Sequence, residues 1–120
     1  MTIYIAGPMT GMKDYNFPAF HTAEAFWVKR GWRVLNPAKI GVLPEYALYW
    51  PINRAMLDGA DAVYLMEGWR KSAGARKEKE YAEKQGLLLI YESMSEKEIW
   101  AEIARYRERV PVVIGVGRKR

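Results

Sequence analysis

Two glutamates stand two apart in "KSAGARKEKEYA", residues 71–82, and they do not share a side of a helix. At about 100° per residue, Glu78 falls on one stripe with Ala75 and Ala82, with Tyr81 beside it, while Lys77, Glu80 and Lys84 point elsewhere. Glu80 is accounted for by its four-apart partners Arg76 and Lys84. Glu78 is not. A carboxylate carried on an apolar stripe must be paired or must do chemistry; the plain alternative is a glutamate half out at the helix edge. Just ahead of it, the Ser72 hydroxyl can cap the helix and Gly74 keeps the first turn bare. The exposed N–H groups and the helix dipole would then favour an anion such as phosphate, although the same serine is also an ordinary N-cap. A second short stretch, "GPMTG", comprises Gly7, Pro8, Met9, Thr10 and Gly11. Its outer glycines let the backbone turn tightly and approach a ligand, and Thr10 adds a hydroxyl. It matches neither the Gly-Lys-Ser/Thr phosphate loop nor the three-glycine dinucleotide spacing. As a pattern it reads equally well as a strand-to-helix turn.

The elements that must position these stretches alternate. "TIYIA" (2–6) reads as a strand ending at Gly7-Pro8, and 17–30 as a helix with Phe20, Ala23, Phe26 and Trp27 at helical spacing, stopped by Gly31. "WRVLN" (32–36) is the second strand. Residues 38–49 are irregular, with Gly41 and Pro44. "INRAMLDGA" (52–60) makes a short helix and "DAVYLM" (61–66) the third strand. The Glu78 helix runs to about Gln85, and "LLLIY" (87–91) is the fourth strand. A Ser95–Glu98 capping box opens a helix over 95–109 with a stripe of Ile99, Ile103 and Tyr106; "VVIGV" (112–116) gives a fifth strand. This order predicts one α/β domain over 1–120, doubly wound and flavodoxin- or Rossmann-like. Its five-stranded parallel sheet has the order 2-1-3-4-5, with helices on both faces. Ligands bind such sheets beyond the carboxyl ends of the strands, where the order reverses. "GPMTG" and "KSAGA" both fall on those loops.

Composition bounds the chemistry. The chain has 120 residues, half of them apolar, and no apolar run of membrane-spanning length, so a single packed domain without a signal peptide or membrane span is expected. Zero cysteines remove disulfides and thiol catalysis, and the one histidine, His21, lies among polar residues and reads as surface. No metal or cofactor is expected. Of the net charge of +5, three units sit in the last three residues of "GRKR", leaving +2 for the rest. A general nucleic-acid surface is therefore not expected, while small anionic ligands remain compatible.

Over roughly residues 2–91 the chain resembles the nucleoside 2-deoxyribosyltransferase superfamily, especially its small bacterial and phage-encoded members, and is similar to its 2'-deoxynucleoside 5'-monophosphate N-glycosidases. "IYIAGPMTG", "GWRVLNP", "ADAVYLMEGW" and "SAGARKEKEYA" carry the resemblance, the last through the spacing of Ser72, Gly74, Glu78 and Ala82. The resemblance implies that Glu78 is the nucleophile that attacks the anomeric carbon, releasing the base and leaving a glycosyl ester for water or a second base to resolve. Tyr4 would hold the Glu78 carboxylate, and the 7–11 loop with Ser72 would hold the 5'-end of a nucleoside or nucleotide. It also implies a cytoplasmic homo-oligomer in a bacterium or a phage-infected one. One position departs from the pattern: where many relatives carry an aspartate that handles the base or a sugar hydroxyl, this chain has Asn53. An amide cannot donate a proton at neutral pH. Either another acid stands in, with Glu67 at the end of the third strand as the candidate, or the chain binds nucleotides with weak or no catalysis. Absent acid–base help is worth ~10²–10⁴-fold in rate, and restoring aspartate at 53 is expected to recover part of it.

Overall fold

The computed structural model of the chain describes residues 1–110. The expected fifth strand (112–116) and the "GRKR" tail lie outside the described residues. Within them, β1 (Thr2–Ala6), α1 (Phe17–Lys29), β2 (Arg33–Leu35), α2 (Tyr49–Asp58), β3 (Ala62–Leu65), α3 (Ala73–Lys84), β4 (Leu88–Tyr91) and α4 (Glu96–Arg109) alternate along the chain. The four strands form one parallel sheet of order β2-β1-β3-β4.

Strand alternation decides which helix meets which face. Ile3, Ile5, Ala62, Tyr64, Leu88 and Ile90 point to one side and pack with Phe20, Ala23 and Trp27 of α1 and Ile99, Ile103 and Tyr106 of α4. Tyr4, Ala6, Val63 and Leu65 point to the other, against Leu57 of α2 and Ala82 of α3. Both faces are therefore covered, as a parallel sheet requires. Because position 4 is even in a strand whose odd residues face α1, Tyr4 must lie on the α2–α3 side. Glu78 lies there too.

The element limits differ from expectation where local chemistry is specific. Helix α2 begins at Tyr49, three residues early, because Pro51 sits in the first turn, where its missing N–H is not needed. The stretch expected to be irregular contains two single 3₁₀ turns, Pro37–Ile40 and Tyr46–Leu48. The first is capped by buried Asn36, whose Oδ1 accepts from the Ala38 N–H at 2.9 Å. The Ser95–Glu98 capping box forms as read, with both reciprocal hydrogen bonds. Arg76, expected to pair with Glu80, instead donates to the Arg70 carbonyl; Glu80 keeps Lys84. Among the described residues no helix is long and apolar enough to cross a membrane.

Candidate active site

Between β1 and β3 the sheet order reverses, and the loops leaving these strands at their carboxyl ends diverge there. A cavity of about 230 Å³ opens at this point. That is slightly below the ~300–1,000 Å³ of typical ligand pockets. Of the expected residues, Gly7, Met9, Thr10, Asn53, Ser72, Gly74 and Glu78 line it. Pro8 and Gly11 do not; the Pro8 carbonyl instead accepts from Asn16 Nδ2 at 3.0 Å, which ties the glycine loop to the turn after it. Glu67 is exposed and off the cavity, with its backbone N–H given to Glu92 Oε1 at 2.7 Å, so it is not positioned as the stand-in acid.

Gly7 is where the first loop leaves the sheet beside Met66, whose N–H donates to the Ala6 carbonyl at 2.9 Å. A Cβ on Gly7 would lie 2.7 Å from Met66 Cε and 3.2 Å from Met66 Cβ. The thioether end can swing away, but the Cβ is fixed to the strand end. Gly7→Ala is expected to destabilise the fold by about 1–3 kcal/mol, as measured by urea unfolding; an unchanged midpoint would mean that the loop is free to shift.

Helix α3 delivers the acid. The Ser72 Oγ accepts from the Ala75 N–H at 3.1 Å, so this serine is an N-cap and also a cavity residue. From that start, 3.6-residue periodicity turns Ala75, Glu78 and Ala82 onto the sheet, and all three are buried. Glu78 is 6% exposed. The Tyr4 hydroxyl donates to Glu78 Oε2 at 2.6 Å, and Asn53 Nδ2 donates to the same oxygen at 3.0 Å. Oε1 receives no hydrogen bond from the described residues. One carboxylate oxygen is thus held by two donors and its twin by none among the described residues. Burial pushes the Glu78 carboxyl up to about 7, partly offset by the Tyr4 and Asn53 hydrogen bonds. Burial, and then the neighbouring Glu78, hold the Tyr4 phenol well above its ordinary value, so it remains a donor.

Much of the remaining wall is aromatic, from Tyr15, Phe17, Phe20, Tyr46 and Tyr49, with Pro37, Val42 and Leu43 beside them. Tyr49 staples its own loop, accepting from the Leu43 N–H at 2.8 Å and donating to the Gly41 carbonyl at 3.1 Å. Tyr15 belongs to three consecutive residues, Asp14, Tyr15 and Asn16, with φ of 52°, 53° and 61°. Asn and Asp tolerate this left-handed region, but a tyrosine there carries strain of about 1–2 kcal/mol. The sequence reading missed these walls. Phe17 and Phe20 were read as part of a periodic helix and not as cavity lining, and the tyrosines lie where no repeating pattern says how the chain folds.

Residues 1–91, from the start of β1 to the end of β4, match one family model, described as "Domain of unknown function (DUF4406)". No curated protein and no solved structure matches the chain.

Proposed function

The chain belongs to the DUF4406 family, and from the site this fold builds we propose that it cleaves the N-glycosidic bond of a deoxynucleoside or deoxynucleoside 5'-monophosphate. A covalent glycosyl–Glu78 ester would be the intermediate, with water or another base as acceptor. The observation that carries this reading is the asymmetric holding of Glu78: Tyr4 and Asn53 both occupy Oε2, and Oε1 remains for an electrophile. A carboxylate titrating near 7 is a stronger nucleophile than an ordinary one and is still substantially ionised at neutral pH. An oxocarbenium-like transition state is stabilised by that charge at short range, and the ester splits one hard displacement into two. The likeness of "IYIAGPMTG" and "SAGARKEKEYA" to the nucleoside 2-deoxyribosyltransferase superfamily supports the same chemistry. The parallel order β2-β1-β3-β4 puts the loops after β1 and β3 at the point of reversal, where such sheets bind ligands. Exposed Met12, Tyr15, Val42, Tyr46 and Leu48 on the two loops flanking the cavity support a homo-oligomer, and a bacterial cytoplasm is where such substrates occur.

A second reading has its own support. Asn53 donates to Glu78, and among the described residues no other carboxylic acid lines the cavity. A nucleotide-binding protein without efficient turnover would look the same. Incubation with each deoxynucleoside and its 5'-monophosphate, followed by chromatography for free base, separates the two. Base release that disappears in Glu78→Gln is expected; thermal stabilisation by nucleotides with no base released would favour the binder.

A further inference from the structure

We infer that the site takes nucleosides whose base is already cationic, such as an N-alkylated purine or an N-glycosyl pyridinium. This rests on the N-glycosidic reading above and names its substrate class. Three features of the cavity lining converge on it. Among the described residues Glu78 is the only carboxyl on the wall, and no lysine, arginine or histidine lines the cavity. The same lining carries five aromatic residues, Tyr15, Phe17, Phe20, Tyr46 and Tyr49, and aromatic rings attract cations. The third feature is the missing proton donor. Asn53 is an amide whose Nδ2 is already committed to Glu78, the Tyr49 hydroxyl is committed to the Gly41 carbonyl, and among the described residues no second carboxyl lines the cavity.

The chemistry follows from the electron count. As an electron pair on Glu78 Oε1 forms the bond to the anomeric carbon, the C–N bond breaks and its pair returns to the ring nitrogen. A neutral base leaves by this route as an anion unless a proton arrives with it, and among the described residues this wall holds no second carboxyl to supply one. A cationic base leaves neutral, because the returning pair cancels its charge, and no proton is needed. Water then attacks the anomeric carbon of the ester, its oxygen bonds to the sugar, and the Glu78 carboxylate departs with the electron pair. The water proton passes to that carboxylate or to solvent. The sugar is released as the free hydroxyl compound. Every step uses groups present on the wall or water.

The test compares 7-methyl-2'-deoxyguanosine with 2'-deoxyguanosine at neutral pH in the full chain, with base release followed by chromatography. Spontaneous loss is subtracted using the Glu78→Gln protein. An enzyme with a working general acid narrows the intrinsic difference between these substrates, whereas one without it transmits the difference. The methylated, cationic substrate is expected to have a kcat/KM at least ~10²-fold higher, the lower bound of what acid catalysis contributes. Comparable values, or a preference for the neutral nucleoside, would overturn the inference and leave the N-glycosidic reading standing. Absence of Glu78-dependent release from both substrates, and from the wider nucleotide panel, would overturn the two together.

Discussion

Glu78→Gln is expected to stabilise the protein by about 3 kcal/mol above pH 8 and by almost nothing below pH 4. The sign follows from which state holds the proton more tightly. An unfolded glutamate titrates near 4.5, and the folded one is raised to about 7 by burial. Below the lower value both states are protonated and no difference arises. Between the two values the native state still binds the proton that the unfolded chain has lost. Stability therefore falls as pH rises through the window, by up to ~1.4 kcal/mol per unit. Above the upper value the whole penalty is present. Glutamine carries no charge to desolvate, and its amide oxygen can accept from Tyr4 and Asn53 as Oε2 does. Thermal unfolding at pH 4 and pH 8 should show a variant-minus-wild-type gap that opens by roughly 10 °C, since one kcal/mol moves a domain of this size by several degrees. A gap independent of pH would show that Glu78 titrates normally and is not held in an apolar setting. The same substitution should lower base release by a factor on the order of 10⁴ or more, as loss of a nucleophile does. A buried residue expected to weaken the fold at working pH is what the proposed activity would account for and packing would not.

Much of the fold was legible because it rests on periodicity. The alternation in "TIYIA" put Tyr4 opposite Ile3 and Ile5, and the α3 stripe put Glu78 on the sheet side, so their meeting across 74 residues of sequence follows from two local patterns and a right-handed parallel sheet. The role of Asn53 was only half legible. Its type excluded proton donation, but its hydrogen bond to Glu78 depends on how α2 packs beside α3, which no local pattern states. The aromatic walls were illegible, because Tyr15, Tyr46 and Tyr49 lie on or beside short 3₁₀ turns with no repeating pattern to read. Glu67 shows the converse error. It sits at the correct end of the correct strand, yet the β3 loop turns it outward, because residues past a strand end no longer obey the pleat.

Asn53→Asp is expected to change the shape of the pH profile as well as its height. In the wild type only Glu78 must be in a defined state, ionised, so the rate should climb about tenfold per unit below pH 7 and level off above it, giving one rising limb. Aspartate at 53 places a second carboxyl about where Nδ2 now lies, 3.0 Å from Glu78 Oε2. Two carboxyls that close in a buried pocket cannot both ionise easily and share one proton over a broad range, titrating as a pair and not as separate residues. The singly protonated pair is the form that can both attack and donate, so the profile should become a bell, lost in acid when the pair binds a second proton and in base when it gives up the first. On a neutral deoxynucleoside the rate at the optimum should rise by ~10²-fold or more, the scale of general-acid help. A cationic substrate, needing no proton, should gain little. The preference for 7-methyl-2'-deoxyguanosine over 2'-deoxyguanosine should therefore shrink by the factor that the neutral rate gains. A variant that keeps the single limb and the wild-type preference would show that the side chain at 53 faces Glu78 alone and never reaches the departing base.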